Sequence, residues 1–199
     1  VYGDSVSMPK VEYKIGSPLS PYAVSKYVNE LYASNFARHF GLKLIGLRYF
    51  NVFGKRQDPG GGYAAVIPKW TKKILNGDAV SIYGDGETTR DFCYVENAIQ
   101  ANILAATSEK VGLENEVFNV AKGTQTSLNQ LFYKIKNTLR QGKIEYVQKP
   151  VYSDFRAGDV RNSLANIEKA KRLLGYNPQK DLDEGLKESI PWYINNLQM

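Results

Sequence analysis

The chain contains a capped helix that is followed at once by an apolar strand. Ser20 is a suitable N-cap residue, Pro21 fits the first helical position, and Gly41 is a typical residue to end a helix. Apolar side chains recur between them at helical spacing, at Val24, Tyr27, Val28 and Leu31. Residues 42–54 (LKLIGLRYFNVFG) then form a short apolar run that predicts a buried strand. A helix leading into a buried strand is half of a βαβ unit, so the sequence predicts an α/β fold with a parallel sheet.

The rest of the chain alternates between helical and strand patterns. Further helices are predicted over residues 64–78, 95–110, 126–139, 165–175 and 181–197, and further strands over 79–84, 116–121 and 143–148. The helix over 126–139 opens with a capping box of Ser127 and Gln130. The helix over 95–110 is expected to carry Ile99, Asn102, Ile103 and Ala106 on one face. Pro191 either kinks or splits the last helix, and the glycines of residues 57–62 predict a loop.

Composition excludes several classes of function. Cys93 is the only cysteine and His39 the only histidine, so an internal disulfide is impossible and a zinc site is not expected. A Ser-His-Asp hydrolase would have to use His39, which better fits a surface position at a helix end. The net charge of +6 is scattered, which favours an anionic small molecule over nucleic acid as the ligand. Without a membrane-length apolar run or a signal-peptide pattern, the sequence predicts a cytoplasmic protein.

Tyr22 and Lys26 lie four residues apart, on one face of the first predicted helix. A tyrosine with an ordinary pKa of ~10 is a poor base at neutral pH, but a nearby cation favours its phenolate form. The pair therefore suits a proton acceptor tuned towards neutral pH. The alternative for this spacing alone is a packed tyrosine beside a surface lysine.

Four motifs extend this observation along the chain in a fixed order. They are SPYAVSK (20–26), LRYFNVFG (47–54), GDGETTRDFCYVEN (84–97) and FNVAKG (118–123). In this order they resemble the extended short-chain dehydrogenase/reductases that act on nucleotide-sugars. The stretches YAAVIPKW, GDGETTRDFCY and FRAGDVRNS are most similar to UDP-sugar 4-epimerases, especially those acting on UDP-N-acetylglucosamine.

The resemblance implies a reaction and its catalytic residues. Tyr22 would take the proton from the sugar 4-hydroxyl while C4 gives hydride to NAD, and the 4-keto sugar would turn over before the hydride returns. Lys26 would hold the nicotinamide ribose and favour the Tyr22 phenolate. Tyr49 and Phe50 would lie beside the nicotinamide, at the end of the buried strand.

The resemblance also implies a set of substrate-binding residues. Asn51 would bind the sugar–diphosphate end, Tyr83 would border the uracil, and backbone around Val66 would wall the nucleotide. Ser163, a small residue, would leave room for an N-acetyl group at C2 of the sugar. The full set is Asn51, Ala64, Ala65, Val66, Tyr83, Arg90, Arg156, Asp159 and Ser163. Guanidinium forks suit a pyrophosphate and a carboxylate suits a ribose diol, which agrees with Arg90, Arg156 and Asp159.

A Gly-rich turn of the G-x-x-G-x-x-G kind is absent from the sequence, although a dinucleotide-binding half requires one. The chain is therefore interpreted as the C-terminal part of a longer enzyme. Residues 1–56 are expected to belong to a Rossmann-like parallel sheet, and residues 57–199 mainly to a smaller mixed α/β substrate-binding domain, with some segments returning to the sheet. Alone, the chain is expected to bind NAD poorly and to be inactive, and its exposed apolar edge predicts self-association, as in a homodimer.

Three alternatives remain open from the sequence. The first is a sister enzyme, such as a nucleotide-sugar 4,6-dehydratase or a UDP-glucuronate decarboxylase or epimerase. The second is a non-catalytic module that binds a nucleotide-sugar. The third is a basic scaffold for nucleic acid, which ranks last because the basic residues are dispersed.

Overall fold

The structure is a computed structural model that describes residues 1–60, 64–156 and 158–197. Its helices are α1 (Pro21–Phe40), α2 (Val66–Leu75), α3 (Val95–Thr107), α4 (Leu128–Gln141), α5 (Glu168–Leu174) and α6 (Leu182–Leu197). Its strands are β1 (Gly46–Tyr49), β2 (Val52–Phe53), β3 (Ser81–Tyr83), β4 (Thr89–Arg90), β5 (Cys93–Tyr94), β6 (Val117–Val120), β7 (Thr126–Ser127) and β8 (Val151–Ser153). No helix in these ranges is long and apolar enough to cross a bilayer.

The strands pair across long sequence distances, and most pairs are parallel. β1 pairs with β6, β2 with β5 and β3 with β8, all in parallel, while β4 and β7 are antiparallel. In the first pair Gly46 lies opposite Val117 and Tyr49 opposite Val120. The predicted α/β class is confirmed, because parallel pairs need the long crossover connections that the helices provide.

α1 has the predicted caps but buries little of its surface. The Ser20 hydroxyl accepts a hydrogen bond from the Ala23 N–H at 3.1 Å, and Gly41 ends the helix with a φ of 64°. Ala37 is its one fully buried residue. The helix is held to β1 by a bidentate ion pair between Glu30 and Arg48, with both N–O distances at 2.8 Å.

Two hydrophobic clusters form the core. The first joins α2, α4 and α6 around β3, with fully buried side chains such as Ile82, Leu131 and Leu186. The second joins α3 and α5 to β6 and includes Phe50, Phe118 and Tyr176. The predicted division of the chain near residue 56 remains a prediction.

Several local predictions change in the tertiary structure. The strand expected over 42–54 is split into β1 and β2, which pair with different partners. Residues 143–148 form no strand: Tyr146 instead packs into the first core cluster and donates its hydroxyl proton to the Asp78 carbonyl at 2.8 Å. α6 is one continuous helix that contains Pro191. The loop predicted over 57–62 lies partly outside the described residues.

The face of α3 that carries Ile99, Asn102, Ile103 and Ala106 is exposed. Ile99 is 50% and Ile103 57% exposed, whereas the helix buries Asn97, Ala98 and Ala101. The small alanines allow the helix to lie close to β1 and β6, and Asn97 bonds the backbone of Lys180. Burial in α3 follows the position of the neighbouring strands and not the size of its side chains.

Candidate substrate cleft

A cleft of about 360 Å³ opens between the start of α2 and the ends of β2, β3 and β4. Phe53, Trp70 and Phe92 supply apolar wall, and all three belong to the first core cluster. The rest of the lining combines small and aliphatic residues, such as Val52 and Leu128, with polar and charged side chains. A mostly apolar pocket with a few polar groups is the usual form of a small-molecule site.

The structure brings eight of the nine predicted substrate-binding residues into this cleft. They are Asn51, Ala64, Ala65, Val66, Tyr83, Arg90, Arg156 and Asp159. The ninth, Ser163, is half-buried beside β4, where its N–H donates to the Thr89 carbonyl at 3.2 Å, and it is not part of the described lining. Residues from four separate stretches of sequence therefore meet at one place.

Arg90 and Asp159 form an ion pair in the cleft. Arg90 Nη2 donates to Asp159 Oδ1 at 2.8 Å, and Arg90 Nη1 donates to the carbonyls of Thr89 and Val160 at 2.8 and 2.7 Å. The Arg90 side chain is 15% exposed and that of Asp159 is 46% exposed. The guanidinium is therefore fixed in orientation before any ligand binds. Among the described residues, three of its five N–H donors are engaged in hydrogen bonds.

Sequence analysis missed two lysines that also line the cleft. Lys69 and Lys73 project from successive turns of α2, and Lys73 Nζ donates to the Ala79 carbonyl at 3.1 Å. With Arg90 and Arg156, the described lining contains four cationic side chains against the single carboxylate of Asp159. The spacing of the two lysines on one helical face was visible in the sequence, but nothing local indicated what that face meets.

The start of α2 adds backbone donors to this positive lining. Ala65 is its N-cap and has no side-chain oxygen to satisfy the first N–H groups of the helix. Ala64, Ala65, Val66 and Ile67 all line the cleft. A helix N-terminus without a capping side chain favours an anion, because its N–H groups and the helix dipole carry partial positive charge.

Tyr22 and Lys26 share one face of α1, outside this cleft. Tyr22 is 63% exposed, Lys26 is exposed as well, and Lys26 Nζ lies 5.2 Å from the centre of the Tyr22 ring. The start of α1 comes close to the cleft-lining segment: a Cβ built on Gly158 would lie 3.7 Å from the Leu19 carbonyl oxygen. The predicted catalytic pair on α1 and the predicted substrate-binding residues of the cleft are therefore linked where the backbones of residues 19 and 158 meet.

The two residues predicted to contact the nicotinamide differ in exposure. Tyr49 ends β1, is 51% exposed, and donates its hydroxyl proton to Asn102 Oδ1 at 2.9 Å. Phe50 is 7% exposed in the second core cluster, where its ring packs 5.8 Å from that of Tyr2. Of these two side chains, Tyr49 is the one open to a ligand.

A buried carboxylate next to Arg90 joins three segments around the cleft. Asp91 is fully buried and accepts hydrogen bonds from the N–H groups of Lys122, Gly123 and Ala165, each with a distance of 3.1 Å. Burial raises the pKa of Asp91 to about 6, against the opposing effect of these N–H donors. The described residues contain no group of three or more His, Cys, Asp or Glu that could hold a metal ion.

Comparison with known proteins gives consistent results. Residues 1–121 match the family described as the NAD dependent epimerase/dehydratase family. A putative UDP-glucose 4-epimerase of Methanocaldococcus jannaschii is 39% identical over 98% of this chain. The match covers 60% of that protein, so the chain spans about three fifths of the relative's length. Relatives at 31% and 33% identity are named as a UDP-glucuronate 4-epimerase and a UDP-N-acetyl-alpha-D-glucosaminuronate decarboxylase.

Solved structures agree in fold. A UDP-glucose 4-epimerase of Thermotoga maritima, solved with UDP-glucose, has a TM-score of 0.90 at 42% identity, covering 99% of this chain and 61% of that one. A UDP-N-acetylglucosamine 4-epimerase of Methanobrevibacter ruminantium, in complex with UDP-N-acetylmuramic acid, has a TM-score of 0.87 at 44% identity, covering 100% and 61%. Both similarities extend over essentially the whole chain.

Proposed function

Because the chain belongs to the NAD-dependent epimerase/dehydratase family, we propose that the protein it forms interconverts UDP-sugars that differ at C4. We further propose UDP-N-acetylglucosamine and UDP-N-acetylgalactosamine as the preferred pair, with UDP-glucose and UDP-galactose as further substrates. The observation that carries the proposal is the positive cleft between α2 and β4, in which two arginines and a helix N-terminus face one carboxylate.

The diphosphate would bind to Arg90, Arg156 and the first N–H groups of α2. The two arginines carry positive charge and the N–H groups carry partial positive charge, which complement the negative charge of a pyrophosphate. Each guanidinium can also donate two parallel hydrogen bonds to phosphate oxygens. Asp159 would accept a hydrogen bond from a hydroxyl of the ribose through Oδ2, since its Oδ1 atom already accepts a hydrogen bond from Arg90. Tyr83 and the backbone around Ala64 and Ala65 would border the uracil, and Asn51 would bind the sugar–diphosphate end.

Tyr22 would be the proton acceptor at the sugar 4-hydroxyl. Its exposure leaves the hydroxyl open to a substrate, and the ammonium of Lys26 lies 5.2 Å from the centre of its ring on the same face of α1. After epimerisation the same phenol would return the proton to the new 4-hydroxyl. The chain's residues therefore account for the proton transfer of a C4 epimerisation.

The residues present fit one end of NAD. No side-chain hydrogen bond ties the Lys26 ammonium to another described residue, so its donors are open to a ribose hydroxyl, and the exposed Tyr49 ends the neighbouring strand β1. When bound, NAD would supply the hydride acceptor and donor for C4. The chain contains no Gly-rich turn for the pyrophosphate of the cofactor, so its residues would contact NAD at the nicotinamide end.

Ser163 is proposed to select the sugar at C2. A serine occupies little volume, so it would leave space for an N-acetyl group where a bulky aromatic side chain would admit only a hydroxyl. The half-buried position of Ser163, fixed through the Thr89 carbonyl, would keep this wall rigid. The solved relatives include both a UDP-glucose and a UDP-N-acetylglucosamine enzyme, so the proposal depends on this steric argument.

Titration calorimetry with UDP tests the proposed nucleotide site. Each charged hydrogen bond to a phosphate contributes about 1.5–3 kcal/mol, so R156A and R90A should each weaken UDP binding by about tenfold or more. R156A is the cleaner variant because Arg90 also supports the Val160 backbone. R140A, which removes an exposed arginine of α4 outside the cleft, is the matched control and should bind like the wild type.

The same titrations with UDP-N-acetylglucosamine test the sugar wall. S163Y should weaken binding of this nucleotide-sugar and leave the affinity for UDP itself unchanged. A wild-type chain that does not bind UDP would refute the nucleotide site, as would an R156A variant with wild-type affinity. Equal effects of S163Y on both ligands would refute the role of Ser163.

A further inference from the structure

A segment that we call the strap, residues 154–156 and 158–162, carries two of the cleft residues. It contributes Arg156 and Asp159 to the lining. Its two ends are attached to the same β3–β4 unit, because the Gly84 N–H donates to the Ser153 carbonyl at 2.7 Å and the Thr89 N–H donates to the Arg161 carbonyl at 3.0 Å. The positions of Arg156 and Asp159 therefore depend on how the middle of the strap is held.

A second group of contacts holds the strap to the turn between β3 and β4. Arg161 donates from Nη1 and Nη2 to Asp85 Oδ1 and Oδ2, at 2.8 and 2.7 Å. The Arg161 guanidinium also lies 5.1 Å from the centre of the Phe155 ring. That ring covers Gly84 so closely that a Cβ there would lie 2.2 Å from Phe155 Cε1. We call these four residues, Gly84, Asp85, Phe155 and Arg161, the latch.

The latch lies beside the cleft, not in it. Neither Asp85, Phe155 nor Arg161 belongs to the described lining, so any effect they have on a ligand is indirect and passes through the strap or the turn between β3 and β4. The geometry differs from that of an ordinary surface ion pair, which contributes little. The Arg161 guanidinium binds Asp85 in a bidentate manner and also lies against the Phe155 ring. These contacts join the strap to the turn between β3 and β4, and the strap holds the cleft residues Arg156 and Asp159.

The strap also reaches the helix that carries Tyr22. Gly158 has a φ of 76°, and a Cβ at this position would be in van der Waals contact with the Leu19 carbonyl. Residue 158 lies between Arg156 and Asp159, and residue 19 lies three positions before Tyr22. The placement of the strap thus bears on the nucleotide cleft and on the start of α1 together.

We propose that Asp85 and Arg161 are positioning residues, which hold the strap so that Arg156 and Asp159 face the nucleotide before it binds. The inference rests on the proposed function for the identity of the ligand. Without the latch, the strap would sample positions in which these two side chains leave the cleft, and the apparent affinity would fall in proportion to the fraction of competent molecules.

The test compares the wild type with D85N, R161Q and the exchanged pair D85R/R161D. D85N and R161Q should each bind UDP about fivefold more weakly if about a fifth of the molecules then hold the strap in place. The exchanged pair should recover part of this loss, because it restores opposite charges at the same two positions but not the contact of a guanidinium with the Phe155 ring. F155A should give an independent loss, since it removes the stacking surface without changing a charge.

D183N is the matched control. It removes another exposed ion pair, in which Lys134 Nζ lies 2.7 and 2.6 Å from the Asp183 carboxylate oxygens, outside the cleft lining. D183N should bind UDP with wild-type affinity. If the latch only stabilised the fold, D85N and D183N would both have lower melting temperatures than the wild type. Both variants would then bind UDP with wild-type affinity.

Amide hydrogen exchange without ligand separates this inference from the proposed function. In D85N and R161Q, the amides of residues 154–156 and 158–162 should exchange faster than in the wild type, while α4 and α6 keep their protection. Unchanged exchange of the strap would overturn the inference even if UDP binds as proposed. Faster exchange combined with wild-type UDP affinity would overturn it as well, because loosening the strap would then have no effect on UDP binding in the cleft.

Discussion

The attachment of α1 to the rest of the protein gives the sharpest test of how the Tyr22–Lys26 pair is positioned. Ala37 is the single fully buried residue of this 20-residue helix, so the ion pair of Glu30 with Arg48 is its strongest polar contact. The Arg48 side chain is 10% exposed and that of Glu30 is 23% exposed. E30A would leave the guanidinium in place without its carboxylate.

The magnitude follows from what Arg48 keeps. In E30A the Arg48 guanidinium keeps its hydrogen bond to the Glu12 carbonyl at 2.9 Å and its position 4.9 Å from the centre of the Tyr2 ring. It loses both charged hydrogen bonds to the carboxylate of Glu30. Removing one partner of a buried pair costs about 3–5 kcal/mol, and the partial exposure of Glu30 favours the lower end, about 3 kcal/mol. For a chain of this length, about 3 kcal/mol lowers the melting temperature by roughly 6–12 °C.

Urea denaturation followed by circular dichroism measures the loss of stability, and amide exchange locates it. Because α1 buries so little, exchange across residues 21–40 should rise by up to roughly a hundredfold, which corresponds to about 3 kcal/mol of local opening. N29A changes the neighbouring exposed position of the same helix and is the matched control. The double variant E30L/R48M should recover most of the loss, because it leaves no unpaired buried charge.

A stability change below about 0.5 kcal/mol in E30A would refute the reasoning, since this is the range of ordinary surface substitutions. An E30L/R48M variant as unstable as E30A would also refute it. In that case the loss would come from packing and not from an uncompensated charge.

Two further predictions concern the buried carboxylate and the exposed face of α1. Burial raises the pKa of Asp91 from 3.8 to about 6, so the folded state binds this proton more tightly than the unfolded chain does. Protonation of Asp91 therefore contributes about 3 kcal/mol to the stability of the folded state below about pH 4, and this contribution is lost as the pH rises through about 6. D91N should remove this part of the pH dependence in denaturation curves between pH 4 and 7; an identical slope in wild type and D91N would contradict the assignment. Leu31, Tyr32 and Phe36 are 52%, 64% and 45% exposed on α1, so the chain should self-associate in light scattering and L31K/F36K should reduce the association. A wild-type chain that stays monomeric at high concentration would contradict this expectation.

Local features were predictable because they depend on neighbours in the sequence. The caps of α1 at Ser20 and Gly41 and the capping box of Ser127 and Gln130 form as predicted, since each involves contacts within a few residues. Tyr22 and Lys26 share a face for the same reason. Eight of the nine substrate-binding residues predicted from the motifs line the cleft, although the spacing of the motifs does not indicate how those residues meet.

Long-range contacts account for what the sequence did not reveal. The apolar run over 42–54 divides between two pairs because Gly46 aligns with Val117 and Val52 with Cys93. The alternating residues 143–148 remain a loop, since alternation predicts a strand only where a neighbour supplies hydrogen bonds. α3 turned its alanines inward because burial depends on what packs against a helix, not on its own periodicity.

The cleft illustrates the same division. The sequence fixes which residue types are available, and an arginine or a carboxylate keeps its chemistry in any fold. The pairing of Arg90 with Asp159, 69 positions apart, and the placement of Lys69 and Lys73 beside them require the complete chain to fold. Local structure follows from short-range sterics and hydrogen bonds, whereas a binding site follows from burial and charge summed over distant segments.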